Sequence, residues 1–103
     1  MSGLSRALLN EDEIAEELAL LPLWAREGHT IVRAIELASF PEAIRTVVKV
    51  AEIAEEMDHH PDIDIRWRTL RFSLMTYSEG GLTRFDVALA ARIDGVLSAA
   101  TSA

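Results

Sequence analysis

The sequence predicts an α+β fold in which three helices cover one face of a four-stranded antiparallel sheet. One stretch is rich in strand-favouring residues on both sides of a glycine, and a second stretch alternates apolar with polar residues. Segments with apolar residues at helical spacing precede, separate and follow these two stretches. Strands that arrive as hairpins favour antiparallel pairing, so the expected order is α-β-β-α-β-β-α in a single domain, residues 1–103.

The first helix and the first hairpin are predicted between residues 10 and 37. Asn10 suits the N-cap position, with Glu13 three residues later, and Pro22 should end the helix. The predicted inner face of this helix comprises Ile14, Leu18 and Leu21. The segment LWAREGHTIVRAIEL is typical of two strands, because its β-favouring residues flank Gly28, which supplies backbone freedom for a turn.

The second helix has the longest apolar repeat. Ser39 suits its N-cap and Pro41 its first turn, while Pro61 disfavours helical geometry at His60. We therefore expect the helix to end at or near His59 and His60. Its apolar residues at helical spacing are Ala43, Ile44, Val47, Ala51, Ala54 and Met57.

A second hairpin and a third helix complete the predicted fold. The strand residues that alternate toward the core are Ile63, Ile65, Trp67, Leu70, Phe72, Leu74 and Thr76. A tight turn near Arg68 and Thr69 would place both strands on the same core. Thr83 can cap the final helix. The predicted inner side of that helix comprises Phe85, Leu89, Ile93 and Leu97.

Composition limits the classes of partner. Seventeen acidic against ten basic side chains give a net charge of −7, which repels phosphate backbones and anionic lipid surfaces, so direct nucleic-acid binding is not expected. The sequence has no cysteine, which excludes a disulfide framework and a thiolate zinc site. Neither a signal peptide nor a membrane span is visible, and the predicted location is the cytoplasm.

The stretch EEMDHHPDIDIRW places two adjacent histidines at the predicted end of the second helix. A zinc site needs three or four convergent ligands, and adjacent residues rarely aim both rings at one ion, so no metal site is predicted. The pair suits a polar helix terminus, where an imidazolium interacts favourably with the helix dipole. It also suits acid/base chemistry, because Glu55 and Glu56 lie four residues before His59 and His60 and could favour their charged forms. Glutamates at such positions are equally typical of a solvated helix face.

The same stretch, together with Tyr77 and SEGGLTRFDVALAARID, resembles the pterin-4a-carbinolamine dehydratases. The positions that match in type and spacing are Glu55, His59, His60, Pro61, Trp67, Thr76, Gly81, Leu82, Thr83 and Asp86. The upstream half is similar as well, so the resemblance extends from about residue 11 to residue 98. One position departs from the pattern, because Tyr77 stands where the family usually has the histidine of a Thr-His pair.

The resemblance implies a carbon-oxygen lyase, a 4a-hydroxytetrahydrobiopterin dehydratase of tetrahydrobiopterin synthesis or recycling, that uses neither metal nor redox cofactor. Such a reaction delivers a proton to the leaving 4a-hydroxyl and removes one from a ring nitrogen. We expect His59 to carry most of the proton transfer, His60 to bind and orient the pterin, and Tyr77 to act as a hydrogen-bond donor or weak acid. The exchange allows for reduced activity, since tyrosine is a poor base near neutral pH.

The resemblance also implies contacts with the substrate. Glu55 and Asp58 would hold the histidines or contact the pterin, and the backbone of Met75 and Thr76 would pair with the polar pterin edge. Asp86 is either a pterin ligand or an early-helix acid favoured by the helix dipole. The expected substrate-binding set is Glu55, Asp58, Pro61, Met75, Thr76 and Asp86.

Two classes of partner are expected, a reduced pterin and further copies of the chain, and no membrane partner. A four-stranded sheet leaves an edge, so we expect a homodimer or homotetramer. Some relatives with this fold act as dimerisation cofactors of transcription factors. A non-catalytic role as an oligomerisation or protein-binding cofactor is therefore the alternative function, and Tyr77 is the residue that keeps it open.

Overall fold

The structure, a computed structural model, describes residues 4–101 and has the predicted order of elements; residues 1–3 and 102–103 of the predicted domain lie outside this range. The helices are α1 (Glu11–Ala19), α2 (Phe40–Met57) and α3 (Arg84–Thr101). The strands are β1 (Ala25–Glu27), β2 (Thr30–Glu36), β3 (Asp62–Arg66) and β4 (Thr69–Leu74). A short 3-10 turn, Tyr77–Glu79, follows β4.

All neighbouring strands pair antiparallel in the order β1-β2-β4-β3, so β1 and β3 form the edges. Ile31 lies opposite Leu74 and Ile35 opposite Leu70, and directly opposed residues share a face of the sheet. That face packs against the helices in one core, which confirms the predicted α+β arrangement. Fully buried members of the core include Ile31, Leu70, Phe72, Leu89, Ile93 and Leu97.

The predicted helix starts form as expected. The Asn10 side chain accepts from the Glu13 amide at 2.8 Å, and the Glu13 carboxylate accepts from the Asn10 amide at 2.9 Å, which completes a capping box. Ser39 Oγ accepts from the Glu42 amide at 3.2 Å at the start of α2. None of the helices within residues 4–101 is long and apolar enough to cross a membrane.

The buried face of α2 is rotated from the prediction. Ala43, Val50 and Ala54 are buried, whereas Ala51 is exposed and Ile44 is 37% exposed. Ile44 belongs instead to a second apolar line at i, i+4 and i+8, which faces away from the sheet. We call this line the α2 stripe, and it consists of Phe40, Ile44 and Val48.

The turn between β3 and β4 lies one residue earlier than predicted. Arg66 pairs with Thr69, so the loop consists of Trp67 and Arg68 alone. Trp67 has a left-handed backbone (φ 54°), and its side chain is 70% exposed. Its ring packs under the Arg68 guanidinium, 4.6 Å from the centroid. The prediction that Trp67 joins the core was wrong, because the loop takes this residue out of the strand alternation.

Arg33 is a nearly buried cation on the core face of the sheet. Arg33 of β2 has Nη1 2.5 Å from Asp94 Oδ1 of α3, and Trp24 Nε1 donates to the same oxygen at 2.7 Å. The Arg33 side chain is only 11% exposed, so its pairing with Asp94 offsets much of the cost of removing the charge from water. The contact ties the sheet to α3.

Candidate functional site

The end of α2 sets the positions of the two histidines. Asp58 has a left-handed backbone (φ 50°, ψ 44°), and the amides of Asp58 and His59 donate to the carbonyls of Glu55 and Ala54 at 3.2 and 3.0 Å. This pattern is a Schellman motif, which ends a helix and redirects the chain. His59 turns inward and is 7% exposed, whereas the side chain of His60 is 55% exposed.

Asp86, in the first turn of α3, holds His59 from behind. Its carboxylate is fully buried, and Oδ1 lies 2.7 Å from His59 Nε2. Oδ2 accepts from the Thr76 hydroxyl at 2.7 Å and from the Thr83 amide at 2.9 Å. The Thr83 contact is the one expected of an acid in the first turn of a helix. These three hydrogen bonds compensate the carboxylate for the water molecules that it loses on burial.

The direction of each hydrogen bond in this network follows from two facts: a backbone amide can only donate, and a hydroxyl group has a single proton to donate. The Phe85 amide donates to Thr83 Oγ1 at 3.2 Å, and the Thr76 hydroxyl donates to Asp86. The Thr83 hydroxyl, 2.8 Å from Thr76 Oγ1, must then donate to it. With Asp86 ionised, His59 Nε2 carries the proton. Nδ1 is then the imidazole nitrogen without a partner among the described residues, and it is available to a ligand.

The acid partners of the histidines differ from the sequence prediction. The left-handed turn at Asp58 takes both rings off the helical path, so a spacing of four no longer brings side chains together. Glu55 contacts His60 rather than His59, and Glu56 pairs with an arginine of α3 at 3.1 Å. The acid beside His59 comes from α3, 27 residues later in the chain.

Tyr77 stands at the rim of the site, where it is 64% exposed. Its hydroxyl donates to the carboxylate of Asp62 at the start of β3. This hydrogen bond, reinforced by the negative charge of Asp62, raises the pKa of Tyr77 above its ordinary value. The phenol therefore stays protonated at neutral pH, and its proton is already engaged.

A cavity of about 220 Å³ lies at the C-terminal end of α2. The residues that line it are Arg6, Asp58, His59, His60, Met75, Thr76, Tyr77 and Ser78. Six of the predicted site residues thus surround one space. The other three do not line it: Glu55 contacts His60 at the surface, Asp86 lies behind His59, and Pro61 is half-buried beside the pair.

The two residues after β4 differ in what their backbones can offer a ligand. The Thr76 amide donates to the Gly81 carbonyl at 2.9 Å, and the Thr76 carbonyl accepts from the amides of Glu79 and Gly80 at 3.0 Å each. The backbone of Thr76 is therefore occupied. Met75, which lines the cavity, makes none of these turn hydrogen bonds within residues 4–101.

Sequence reasoning missed Arg6 and Ser78. Arg6 lies before the region of family resemblance, and no motif includes it. Leu9 and Ile14, at the N′ and N4 positions of α1, both belong to the core, and this spacing is the pattern of a hydrophobic staple. The staple indicates a fixed entry into α1 but not where the Arg6 side chain lies. Within the described part of the chain, no three His, Asp or Glu side chains converge as metal ligands.

Known proteins resemble this chain over most of its length. Residues 7–96 match the family model described as pterin 4 alpha carbinolamine dehydratase. A protein of Mycobacteroides abscessus, provisionally named pterin-4-alpha-carbinolamine dehydratase, is 54% identical over 88 residues, which are 85% of this chain and 94% of that protein. A Roseiflexus castenholzii protein with the same provisional name is 53% identical over 91 residues, 88% of this chain and 98% of that one.

Two solved structures have a similar fold. The crystal structure of a transcriptional coactivator/pterin dehydratase from Brucella melitensis gives a TM-score of 0.84 at 28% identity, covering 87% of this chain and 98% of that one. A pterin dehydratase-like protein, identified as a RuBisCO assembly factor in the alpha-carboxysome, gives 0.59 at 20% identity, covering 78% and 89%. The second likeness concerns the fold alone.

Proposed function

The chain belongs to the pterin 4 alpha carbinolamine dehydratase family, and from this premise we propose that it dehydrates a 4a-hydroxytetrahydropterin to the quinonoid dihydropterin. The observation that supports this proposal most is the buried pair of His59 and Asp86 at the wall of the cavity. The pair fixes one imidazole and leaves a single nitrogen, Nδ1, for a ligand. An enzyme that moves one proton at a time needs a group of this kind.

The proposed reaction breaks the bond between C4a and the hydroxyl oxygen, releases water, and forms a C=N bond as the adjacent ring nitrogen loses its proton. One proton is removed and one is delivered, so the step needs no electron acceptor. His59 Nδ1 takes the proton from the ring nitrogen, and Asp86 stabilises the imidazolium that forms. The imidazolium then gives its proton to the departing hydroxyl.

The remaining residues would bind rather than react. His60 and Asp58 would orient the pterin from the rim, with Glu55 holding His60, while the Met75 backbone pairs with the polar edge of the ring. Tyr77 contributes a weak hydrogen-bonding group, since its proton is directed at Asp62 and the raised pKa makes the phenol a poorer acid.

Stopped-flow measurement of 4a-hydroxytetrahydropterin dehydration tests this proposal. We expect the wild type to accelerate the reaction at micromolar concentration, and His59→Ala to lose about a hundredfold to ten-thousandfold of that acceleration. His29→Ala is the matched control, because His29 is exposed in the turn between β1 and β2, and it should keep the wild-type rate. A wild type that does not exceed the spontaneous rate would exclude the enzyme.

A non-catalytic role is the second candidate, and the state of Tyr77 favours it. A site that has lost one imidazole and turned the replacing hydroxyl toward Asp62 has less acid/base capacity. Restoring the imidazole with Tyr77→His separates the two candidates. A faster rate than wild type indicates a weakened enzyme, whereas two inactive proteins indicate a binding role.

We also propose a homodimer or homotetramer, as the sequence predicts. Two features support self-association: the unpaired outer edge of β3, and the exposed apolar α2 stripe. Light scattering that finds only monomer at micromolar concentration would contradict this. A cytoplasmic location and a place in tetrahydrobiopterin synthesis or recycling remain predictions from the sequence.

A further inference from the structure

Within residues 4–101, Arg6 is the arginine whose charge has no acidic partner. The ten basic side chains of the chain are one lysine and nine arginines. Eight of these arginines form an ion pair with an Asp or Glu side chain. Arg6 forms no ion pair or hydrogen bond with any residue in the range 4–101, and it alone among the arginines lines the cavity beside His59. Its guanidinium therefore has free donors where a ligand would bind.

The Arg6 guanidinium is nevertheless held in place. It lies over the ring of Phe85, 4.7 Å from the centroid, a distance typical of a cation–π contact. The Phe85 ring in turn packs near the His59 ring, with 5.6 Å between the two ring centroids. Three residues after Arg6, the Leu9 amide donates to the Leu82 carbonyl at 2.9 Å, and Leu8 approaches Gly81 closely. This segment is thus fastened to the loop that leads into α3.

The position of Arg6 indicates which part of a ligand it meets. His59, nine-tenths buried, marks the inner wall, whereas Arg6 is exposed and lies at the rim. The cavity of about 220 Å³ is smaller than the roughly 300–1,000 Å³ of typical ligand pockets. A bicyclic pterin ring with its reacting atoms against His59 would fill it, and a ring substituent would project past the rim toward Arg6.

We propose that Arg6 determines which pterins this site prefers, by pairing with a carboxylate or phosphate on the substituent that projects from the cavity. This inference rests on the proposed pterin function. A guanidinium binds such groups through paired, charge-assisted hydrogen bonds. A neutral hydroxyalkyl substituent forms only weaker hydrogen bonds with it. The preference should show in binding, and not in the rate of the proton-transfer step, because the Arg6 guanidinium packs on the Phe85 ring and forms no hydrogen bond with His59.

Two fluorescent, non-reacting probes test the inference: 6-carboxypterin and 6-hydroxymethylpterin, titrated against wild type and Arg6→Ala. We expect the affinity for the carboxylated probe, relative to the neutral one, to fall about fivefold in Arg6→Ala, with the neutral probe little affected. Arg45→Ala is the matched control, since it removes the same charge from α2 about 20 Å from Asp58, thirteen residues at 1.5 Å each. It should retain the wild-type ratio. Added salt should weaken the wild-type preference, because exposed charges are screened.

Each outcome decides between the two proposals. If both probes bind and Arg6→Ala leaves their ratio unchanged, or Arg45→Ala lowers it equally, the Arg6 inference is wrong while the pterin site stands. If Arg6→Ala weakens both probes to the same degree, Arg6 supports the pocket without selecting its ligand, and the inference is again wrong. If neither probe binds the wild type, the proposed pterin function fails and the Arg6 inference fails with it.

Discussion

Asp86→Asn is the substitution that tests the histidine–aspartate pair most directly. The Thr83 amide can only donate, so the single oxygen of an asparagine must take the place of Oδ2. The asparagine NH₂ group then faces His59 Nε2, which must become an acceptor. The proton of the neutral imidazole moves to Nδ1, the nitrogen that faces the ligand. A group that should accept a proton is thereby turned into a donor.

The size of the effect on rate, binding and stability follows from which interactions Asp86→Asn removes and which it keeps. Without its base the reaction should lose about a hundredfold to ten-thousandfold in kcat, a rise in the barrier of roughly 3 to 5 kcal/mol. Binding of the pterin should change little, because Asp86 does not line the cavity. Stability should fall by only about 1–2 kcal/mol, since asparagine keeps the hydrogen bonds and loses the charge that strengthens them. Asp86→Ala is less informative: it strands three buried donors, and at about 1–3 kcal/mol each it threatens the fold.

The assay combines stopped-flow dehydration with a urea denaturation curve and nitrogen NMR of the imidazole. We expect a folded variant with a low kcat, a nearly unchanged KM, and a His59 ring protonated at Nδ1 in place of Nε2. A variant that keeps the rate within about threefold of wild type, while NMR shows the exchanged tautomer, would refute the role assigned to His59 Nδ1.

Two further predictions concern groups outside the proton path. Asp94→Ala leaves the Arg33 guanidinium unpaired at 11% exposure and removes the acceptor of the Trp24 indole, so the free energy of unfolding should drop by about 3 kcal/mol. Urea denaturation followed by tryptophan fluorescence measures this, and a loss below about 1 kcal/mol would show that water solvates the cation. The single tyrosine, Tyr77, should titrate above its ordinary pKa in an absorbance titration, and Asp62→Asn should bring it back down. Because the folded pKa is the higher one, this hydrogen bond stabilises the fold fully below the ordinary pKa of tyrosine, and the stabilisation is lost as the pH rises through the raised value. An unshifted titration in the wild type would show that Asp62 does not hold the phenol in solution.

The elements and the end of α2 were predictable because they depend on neighbouring residues. Pro61 disfavours helix at His60, and the chain leaves the helix at Asp58, as expected. The partner of His59 was not predictable from periodicity. A left-handed aspartate at the helix end has no distinct sequence signal. The turn at Asp58 nevertheless moves His59 off the helical path, so the four-residue spacing no longer brings it beside Glu55.

Long-range contacts explain the rest of what the sequence left open. The network that holds Asp86 joins the end of β4 to the start of α3, and nothing in a local pattern couples those positions. The position of Arg6 depends on a backbone hydrogen bond between Leu9 and Leu82, 73 residues apart in the chain. Family resemblance identified Asp86 but could not choose between its two readings. The structure places it behind the imidazole, at the cap of α3.

The shared use of Asp86 has an evolutionary consequence. Active-site residues are often retained although they lower stability, and a relative that no longer catalyses the reaction can replace them. Here the acid that orients His59 also satisfies the amide and the hydroxyl at the start of α3, so purifying selection for a folded chain alone would retain it. Among homologues, the persistence of Asp86 and its threonine partners therefore says little about turnover. The side chains of His60 and Tyr77 face solvent, so under the proposed function their replacement among homologues would bear more directly on the chemistry.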